Sequence, residues 1–184
     1  MPPEMFFKDE GVVAFTSDAS VDFTFDDFDA PLTELQRAYL QKRYGVDVPK
    51  VFWRKQIHGD DILIARGGVG ASRGCPDADA FITDEKNLPI AIRTADCVPV
   101  FIFDPLCRVI GLAHAGWKGT AKAIAAKTVQ KMQEKYASQP SGLKIVLGPS
   151  IRQCCYQVGA EYPDCLCSLH FPRSETAKEI PTQT

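Results

Sequence analysis

The sequence predicts a single domain built around a β-sheet whose two faces are both covered. A chain of 184 residues has room for one domain with a sizeable core. Four apolar runs between residues 80 and 113 are mostly unbroken, which is typical of strands buried on both faces. Two other segments, beginning near residues 29 and 119, have the periodicity of amphipathic helices.

The first third of the chain is predicted to contain strands around one helix. Asp29 is expected to cap this helix, Pro31 suits its first turn, and Gly45 ends it. The strands are predicted at residues 12–16, 21–25, 51–53 and 62–65. The apolar face of the helix is predicted to comprise Leu32, Leu35, Tyr39 and Leu40. A glycine-rich surface loop is expected over residues 66–76.

The remaining chain is predicted to hold the core of the sheet and a long helix that starts after Gly119. The strands are predicted at residues 80–83, 88–94, 98–103, 109–113 and 143–147. One side of the helix is predicted to carry Ile124, Thr128, Val129, Met132 and Tyr136. The other side carries lysines, as expected of a face in contact with solvent. From residue 162 onwards the periodicity is lost and prolines recur, which predicts a poorly ordered tail.

Composition excludes several classes of function. A net charge of −2 offers no electrostatic case for binding nucleic acid or an anionic membrane. No run approaches the roughly 18 apolar residues that a membrane span requires. The N-terminus lacks the pattern of a secretory signal, and the seven cysteines are an odd number, so we expect reduced thiols and a cytoplasmic protein.

Three side chains stand out as candidate metal ligands, namely His58, Cys97 and His114. Each lies at the end of an apolar, strand-like run, where functional groups concentrate. Two histidines and a cysteine can form a three-ligand site with one open position, which suits catalysis. No short zinc motif is present, so the prediction depends on these distant segments meeting in space.

The residues alone leave the chemistry of this cluster open. A cysteine and two histidines suit zinc, which lowers the pKa of a bound water towards neutrality. The same ligands occur in copper electron-transfer centres, which add a weak axial ligand. A metal-free alternative is a Cys97 thiolate that a neighbouring histidine activates as a nucleophile.

Several charged residues are further candidates for the site. Asp79 and Asp96 are expected either to orient a metal-bound histidine or to act as a general base, although both also suit turns and caps. Lys118, at the predicted start of the long helix, is a candidate for holding an anion such as phosphate. Arg93 and Arg152, near predicted strand ends, are candidates for phosphate or carboxylate.

A pair of adjacent cysteines, Cys154 and Cys155, follows the last predicted strand. Adjacent cysteines rarely bridge each other. In an extended segment, one of them would face the core and the other a cleft.

Five segments, taken in order, resemble the YfiH-like family, also called the laccase-domain or multicopper polyphenol oxidoreductase-like family. The segments are Gln56–Gly59, Asp77–Thr83, Arg93–Pro99, His114–Thr120 and Gly148–Gly159. They cover roughly residues 50–161, and together they are highly specific. The resemblance implies an α+β fold with mixed β-sheets and flanking helices in a layered α/β/β/α arrangement. It also implies a metal site at His58, Cys97 and His114.

The resemblance further implies a purine nucleoside phosphorylase that also deaminates adenosine and cleaves methylthioadenosine. We therefore expect a zinc-dependent enzyme whose partners are a purine nucleoside and phosphate. Alternatives are copper-dependent oxidation of polyphenols and editing of peptidoglycan precursors. A phenol oxidase would require several copper ions, and the chain has only three histidines.

The two ends of the chain depart from the family pattern. The Ser-Thr-Arg-x-Gly-Gly segment typical of members is replaced by Phe15–Ser20, and members continue well past the Cys-Cys-Tyr motif. We therefore expect a member that is incomplete at its C-terminus, with a catalytic domain over residues 1–161 and a tail over 162–184. Missing strands would leave unpaired sheet edges, which favour oligomers, and an inactive metal-binding protein is a further alternative.

Overall fold

A computed structural model of the protein describes residues 5–7, 10–23, 30–67 and 75–157. The chain divides into two units, Met1–Ile151 and Arg152–Thr184. Every helix and strand below belongs to the first unit. Several predicted features lie outside the described residues: the cap at Asp29, the end of the strand at 21–25, most of the loop at 66–76 and the tail from 162. The domain boundary at residue 161 stays a prediction.

The principal element is a mixed five-stranded sheet, which confirms the predicted α+β class. Its strands are β3 (Ile62–Ile64), β4 (Ala80–Thr83), β5 (Val98–Asp104), β6 (Val109–Ala115) and β7 (Lys144–Leu147). They are arranged in the order β3-β4-β6-β5-β7. β3 and β4 are parallel, whereas the other neighbours are antiparallel. A separate antiparallel pair is formed by β1 (Met5–Phe6) and β2 (Ala14–Phe15).

Among the described residues, three α-helices accompany the sheet: α1 (Glu34–Tyr44), α2 (Trp117–Ala121) and α3 (Ile124–Tyr136). Helix α3 covers one face of the sheet through Ile124 and Met132, which pack with Ile82, Ile102 and their neighbours. In the described part of the chain, no helix has the length and apolar character that crossing a membrane requires.

The opposite face of the sheet is covered by aromatic side chains. Phe81 meets Phe52 edge to face with ring centroids 5.5 Å apart, and Phe101 meets Phe6 at 5.3 Å. Phe81 alternates along β4 with Ile82, which faces α3, so neighbouring residues of one strand enter different cores. Burial on both faces explains why these strands read as unbroken apolar runs.

Some predicted strands are reduced in the structure. Residues 51–53 and 88–94 contribute only a single parallel bridge, between Phe52 and Ile90. Residues 21–23 are not in a strand, and the predicted strand at 12–16 shrinks to Ala14–Phe15. Phe52 nevertheless packs in the core, since it is 3% exposed. Apolar sequence predicted burial here correctly, but not strand pairing.

Helix α1 begins later than predicted. Its N-cap is Thr33, whose hydroxyl accepts a hydrogen bond from the Gln36 backbone N–H, while the Gln36 side chain accepts one from Thr33 N–H. This reciprocal pair is a capping box, and it places Leu35 on the outside, where it is 68% exposed. Gly45 ends the helix in the left-handed conformation, with φ 70°, as predicted.

The long helix predicted after Gly119 is interrupted. Helix α2 has five residues, and α3 starts only at Ile124 because Ala123 takes φ 60° in the left-handed region. Ile124, Thr128 and Met132 are buried, so the predicted apolar face of α3 is confirmed. The interruption has consequences for the predicted anion site, described below.

The turn between β5 and β6 offers a test of stability against pH. Asp104 is 3% exposed, and its Oδ1 accepts hydrogen bonds from the N–H groups of Leu106 and Cys107 at 2.9 and 3.0 Å. Burial alone would raise the pKa of Asp104, but the neighbouring Ser138 hydroxyl and these two N–H groups outweigh it and lower the pKa. The ionised carboxylate therefore stabilises the fold.

We expect Asp104→Asn to lower the free energy of unfolding at pH 7 by about 1–2 kcal/mol, because the amide accepts weaker hydrogen bonds than the carboxylate. A carboxyl with a lowered folded-state pKa stabilises above its unfolded pKa of about 3.9 and loses that stabilisation as the pH falls through the folded value. The gap between variant and wild type should therefore close below about pH 4. Urea titrations across this range measure it, with the exposed Asp77→Asn as control. An equal gap at all pH values would contradict the prediction.

Candidate metal centre

Strand register brings two of the predicted ligands to the same place. His114, in β6, lies opposite Pro99 in β5. Cys97 lies in the bend directly before β5, two residues from Pro99, and so comes close to His114. Both side chains therefore reach the rim of the aromatic face, where β5 begins and β6 ends.

Asp79 joins the sheet to the loop that carries His58. It immediately precedes β4 and is fully buried. Its Oδ2 accepts hydrogen bonds from the N–H groups of Ile57 and Gly59 at 3.1 and 2.8 Å, and its Oδ1 accepts one from His58 N–H at 3.0 Å. Oδ1 also lies 2.8 Å from Nδ1 of His114. One carboxylate thus positions both histidines.

The charge state of Asp79 determines the tautomer of His114. Burial alone would raise the pKa of Asp79, but hydrogen bonds from His114, Gly59 and Ile57 outweigh it and lower the pKa. An ionised carboxylate only accepts, so Nδ1 of His114 must donate. The Nε2 atom of a neutral His114 ring is then left as the acceptor that a metal ion requires.

His58 is held in a backbone conformation that costs energy. Its φ is 57°, in the left-handed region that non-glycine residues rarely enter and in which histidine is enriched. The cost is of order 1–2 kcal/mol. The three N–H groups of residues 57–59 that donate to Asp79 offset it, and the ring of His58 is left exposed. The strained backbone therefore presents an imidazole towards His114.

Gln56 strengthens the same loop from its other side. Its side-chain amide donates to the carbonyl of Arg93 at 2.8 Å and accepts from Arg93 N–H at 2.7 Å. This pair ties the loop before His58 to the segment before Cys97. In the sequence, Gln56 is noticeable only as part of a motif. The structure shows that its side chain pairs with the Arg93 backbone.

The three predicted ligands converge, with their ligand atoms within 4.8 Å of one another. The rings of His58 and His114 are 4.8 Å apart between centroids and inclined at 74°. In a tetrahedral zinc site the ligand atoms lie about 3.4–3.6 Å apart, given bond lengths of about 2.0–2.3 Å. Shifts of about 1 Å would therefore close the cluster on one ion. Two imidazole nitrogens and one sulfur fit a zinc or copper ion.

Cys97 is half-buried at this rim. Burial raises the pKa of its thiol, and the negative charges of Asp96 and Asp79 raise it further. These surroundings do not favour a free thiolate nucleophile, whereas a bound metal ion would deprotonate the sulfur outright. The electrostatics thus favour a ligand role for Cys97.

Gly116 is required where the cluster is most crowded. A Cβ atom at this position would lie 2.9 Å from Cδ2 of His58 and 3.1 Å from Sγ of Cys97. Nearby, a Cβ atom at Gly119 would lie 2.8 Å from the carbonyl oxygen of Gly59. All three distances are shorter than ordinary van der Waals contact, so the α2 segment approaches the His58 loop as only glycine permits.

We expect Gly116→Ala to weaken zinc binding by about 10- to 100-fold, the range seen when groups that orient metal ligands are changed. The reason is that the added methyl group must displace His58 and Cys97 side chains. Competition against a chromogenic chelator measures the affinity. Gly142→Ala is the matched control, because a Cβ atom there meets nothing within 4 Å. Wild-type affinity in Gly116→Ala would contradict the expected crowding.

The other predicted site residues lie in separate surroundings. Asp96 has an exposed side chain, and its backbone carbonyl accepts a hydrogen bond from Ile151 N–H at 3.0 Å. Arg93 places its guanidinium 5.0 Å from the centre of the Trp53 ring. Lys118 is exposed and lies 5.5 Å from the Trp117 ring centre. Arg152 belongs to the second unit, Arg152–Thr184.

Lys118 lies in a short helix and not at the start of the long one, so its predicted role in holding an anion stays a prediction. Lys118 belongs to the five-residue α2, whereas the long helix α3 starts six residues later, at Ile124. A macrodipole acts within the first turn of its own helix, so that of α3 does not reach Lys118. Instead, Lys122 and Lys127 both pair with Asp60, which fastens the helices to the His58 loop.

The fold and the cluster together define an α+β protein with a candidate metal centre of two histidines and one cysteine. The model of the family described as "Multi-copper polyphenol oxidoreductase laccase" matches residues 5–182, and the chain belongs to this family. The match extends beyond the five motifs of residues 50–161. The family is a metal-binding one, and the His-Cys-His cluster is consistent with it.

Individual relatives agree with this assignment. The chain is 36% identical over 139 residues to "Purine nucleoside phosphorylase YlmD" of Bacillus subtilis, covering 72% of this chain and 50% of the relative. The chain spans about half the length of the first curated relatives it matches.

Two solved structures show the same fold. The crystal structure of YlmD from Geobacillus stearothermophilus superposes with a TM-score of 0.66 at 34% identity, covering 76% of this chain and 54% of that one. The hypothetical protein YfiH of Bacillus licheniformis gives 0.74 at 29% identity, covering 94% and 72%.

Proposed function

We propose that the chain is a zinc-dependent enzyme of purine nucleosides, which cleaves adenosine-, inosine- and methylthioadenosine-type substrates with phosphate and also deaminates adenosine. The convergence of His58, Cys97 and His114 within 4.8 Å is the observation that carries the proposal. Relatives from Bacillus subtilis and Homo sapiens are named purine nucleoside phosphorylases, which supports the substrate class. We further propose that the protein is cytoplasmic and forms oligomers. We propose no nucleic-acid or membrane partner for it.

A zinc ion at this centre would supply a Lewis acid that activates a water or polarises a substrate oxygen. Three protein ligands leave a coordination position for that purpose. Asp79 would hold His58 through its backbone and His114 through Nδ1, so that both rings face a common point. We therefore assign Asp79 the role of a positioning residue.

Proton transfer would fall to Asp96 rather than to Asp79. Both oxygens of Asp79 already accept hydrogen bonds, two each, and the group is fully buried. Asp96, next to Cys97, has an exposed carboxylate that can exchange protons with substrate and solvent. Arg93 and Lys118 would contribute positive charge for phosphate. Arg152, in the second unit, stays a separate candidate for binding an anion.

Activity of the zinc-loaded chain on adenosine, inosine and methylthioadenosine tests the proposal. Assays with and without phosphate separate the two reactions, since free base and ribose phosphate require phosphate whereas inosine formed from adenosine does not. Product should appear with zinc, disappear after chelation and return on zinc addition. Folded, zinc-loaded protein that forms neither product would refute the proposed function.

Copper-dependent oxidation of phenols is a second candidate, because the family description names it. A multicopper centre needs more imidazoles than the chain offers, since it has three histidines in all. Metal analysis of copper-loaded protein together with oxygen uptake on a phenol distinguishes the two functions. Several coppers per chain with phenol-dependent oxygen uptake would favour the oxidase.

A further inference from the structure

Cys154 and Cys155 form a pair of exposed, reduced thiols in the second unit. Their Sγ atoms are 3.2 Å apart and share a hydrogen bond. The backbone forms a turn in which the carbonyl of Arg152 accepts hydrogen bonds from Cys155 N–H and Tyr156 N–H at 2.9 and 3.0 Å. The segment is therefore not extended, so the alternation considered from the sequence does not apply, and both cysteines are exposed.

A disulfide bond between Cys154 and Cys155 would be strained. Neighbouring Cα atoms lie about 3.8 Å apart across a trans peptide. Unstrained disulfides need about 4.4–6.8 Å between Cα atoms. A bond between adjacent cysteines therefore stores strain and is easily reduced. The geometry leaves two thiols that remain side by side under reducing conditions.

We propose that Cys154 and Cys155 act together as a bidentate dithiol site for soft, thiophilic centres, trivalent arsenic above all. Thiolates are the ligands that soft ions select, and here two are already in contact. No other side chain is needed for the site. It is also independent of the proposed enzyme activity, because it shares no residue with the His-Cys-His cluster.

The reaction with phenylarsine oxide shows the chemistry in balanced form. Two S–H bonds break and two As–S bonds form, while the arsenic-bound oxygen leaves as water with both protons. Arsenic stays trivalent, so neither oxidant nor reductant is required. The hydrogen bond between the two sulfurs raises the pKa of Cys155, which keeps this thiol protonated and able to supply its proton.

Chelation by two thiols distinguishes this site from the other cysteines in the described part of the chain. Once one As–S bond has formed, the second thiol acts at a high effective concentration, which strengthens binding by about 10²- to 10⁴-fold over a single thiol. A monothiol such as glutathione should therefore fail to remove the phenylarsine group, whereas a small dithiol should remove it.

Intact-protein mass spectrometry of the full chain with phenylarsine oxide, in excess glutathione, tests the proposal. The wild type should retain one phenylarsine group, and proteolytic mapping should place it on the peptide with Cys154 and Cys155. Cys154→Ser and Cys155→Ser should each lose it, with affinity falling by about 10²- to 10⁴-fold. Cys107→Ser, which removes another exposed thiol, should keep it.

Two results would overturn the proposal. One is retention of the adduct in both Cys154→Ser and Cys155→Ser. The other is its loss in a Cys165→Ser, Cys167→Ser double variant with mapping to that peptide, which would assign the site to the closely spaced pair further along the sequence. Circular dichroism confirms that each variant is folded, and mapping on the wild type does not depend on any variant.

Discussion

Cys97→Ala is expected to abolish stoichiometric zinc binding and, with it, turnover of purine nucleosides. The substitution removes one of three ligand atoms that lie within 4.8 Å of one another and leaves two imidazoles. Changes to groups that only orient ligands already cost about 10- to 100-fold in affinity, so loss of a ligand should cost at least as much. Metal analysis after dialysis measures the stoichiometry, and the nucleoside assay measures turnover.

Cys107→Ala serves as the control, because it removes an exposed thiol on the turn after β5. It should bind zinc like the wild type. Full zinc occupancy in Cys97→Ala would show that the sulfur is not a ligand. If Cys97→Ala binds zinc fully but loses activity, the thiol would act as a nucleophile and not as a ligand.

Asp79→Ala is expected to be the most destabilising single change at the site. It leaves three backbone N–H groups and Nδ1 of His114 without their buried acceptor. Removing one partner of a buried charged network typically costs about 3–5 kcal/mol. Urea unfolding of the metal-free protein measures the loss, and chelator competition should show zinc affinity reduced by about 10- to 100-fold.

Asp79→Asn separates positioning from stability in this network. Its amide oxygen still accepts, so we expect a smaller loss of about 1–3 kcal/mol. The NH₂ group takes the place of one carboxylate oxygen and cannot accept the hydrogen bonds that this oxygen accepted. Zinc affinity should therefore remain reduced. Asp61→Ala is the control, since Asp61 is exposed and its backbone carbonyl accepts the hydrogen bonds from Asp79 and Ala80 N–H. Wild-type stability in Asp79→Ala would contradict the role of Asp79 as a buried positioning residue.

The candidate ligands could be predicted because strand ends leave a signature in the sequence. Cys97 and His114 each adjoin an apolar run, and the pairing of β5 with β6 brings the two residues together. The sequence made Asp79 a candidate for orienting a histidine, but its hydrogen bonds to the backbone of the His58 loop left no such signature. A carboxylate that accepts from a loop twenty residues earlier and a histidine 35 residues later looks in sequence like any aspartate before a strand.

The fold shows the same division between local and distant causes. Unbroken apolar runs located β4, β5 and β6 to within about two residues, because burial on both faces needs only apolar side chains. The break between α2 and α3 could not be foreseen from Lys122 and Ala123, which are both good helix formers. It accompanies a close approach of Gly119 to Gly59 and the pairing of Lys122 with Asp60, contacts made across sixty residues of chain.

The shared carboxylate of Asp79 means that the two imidazoles are not energetically independent. A substitution at His114 frees an oxygen that also holds the backbone of His58, so each change is felt at both. Double-mutant cycles between these positions will therefore show non-additive free energies. The two histidines behave as one thermodynamic unit with a single buried anion at its centre.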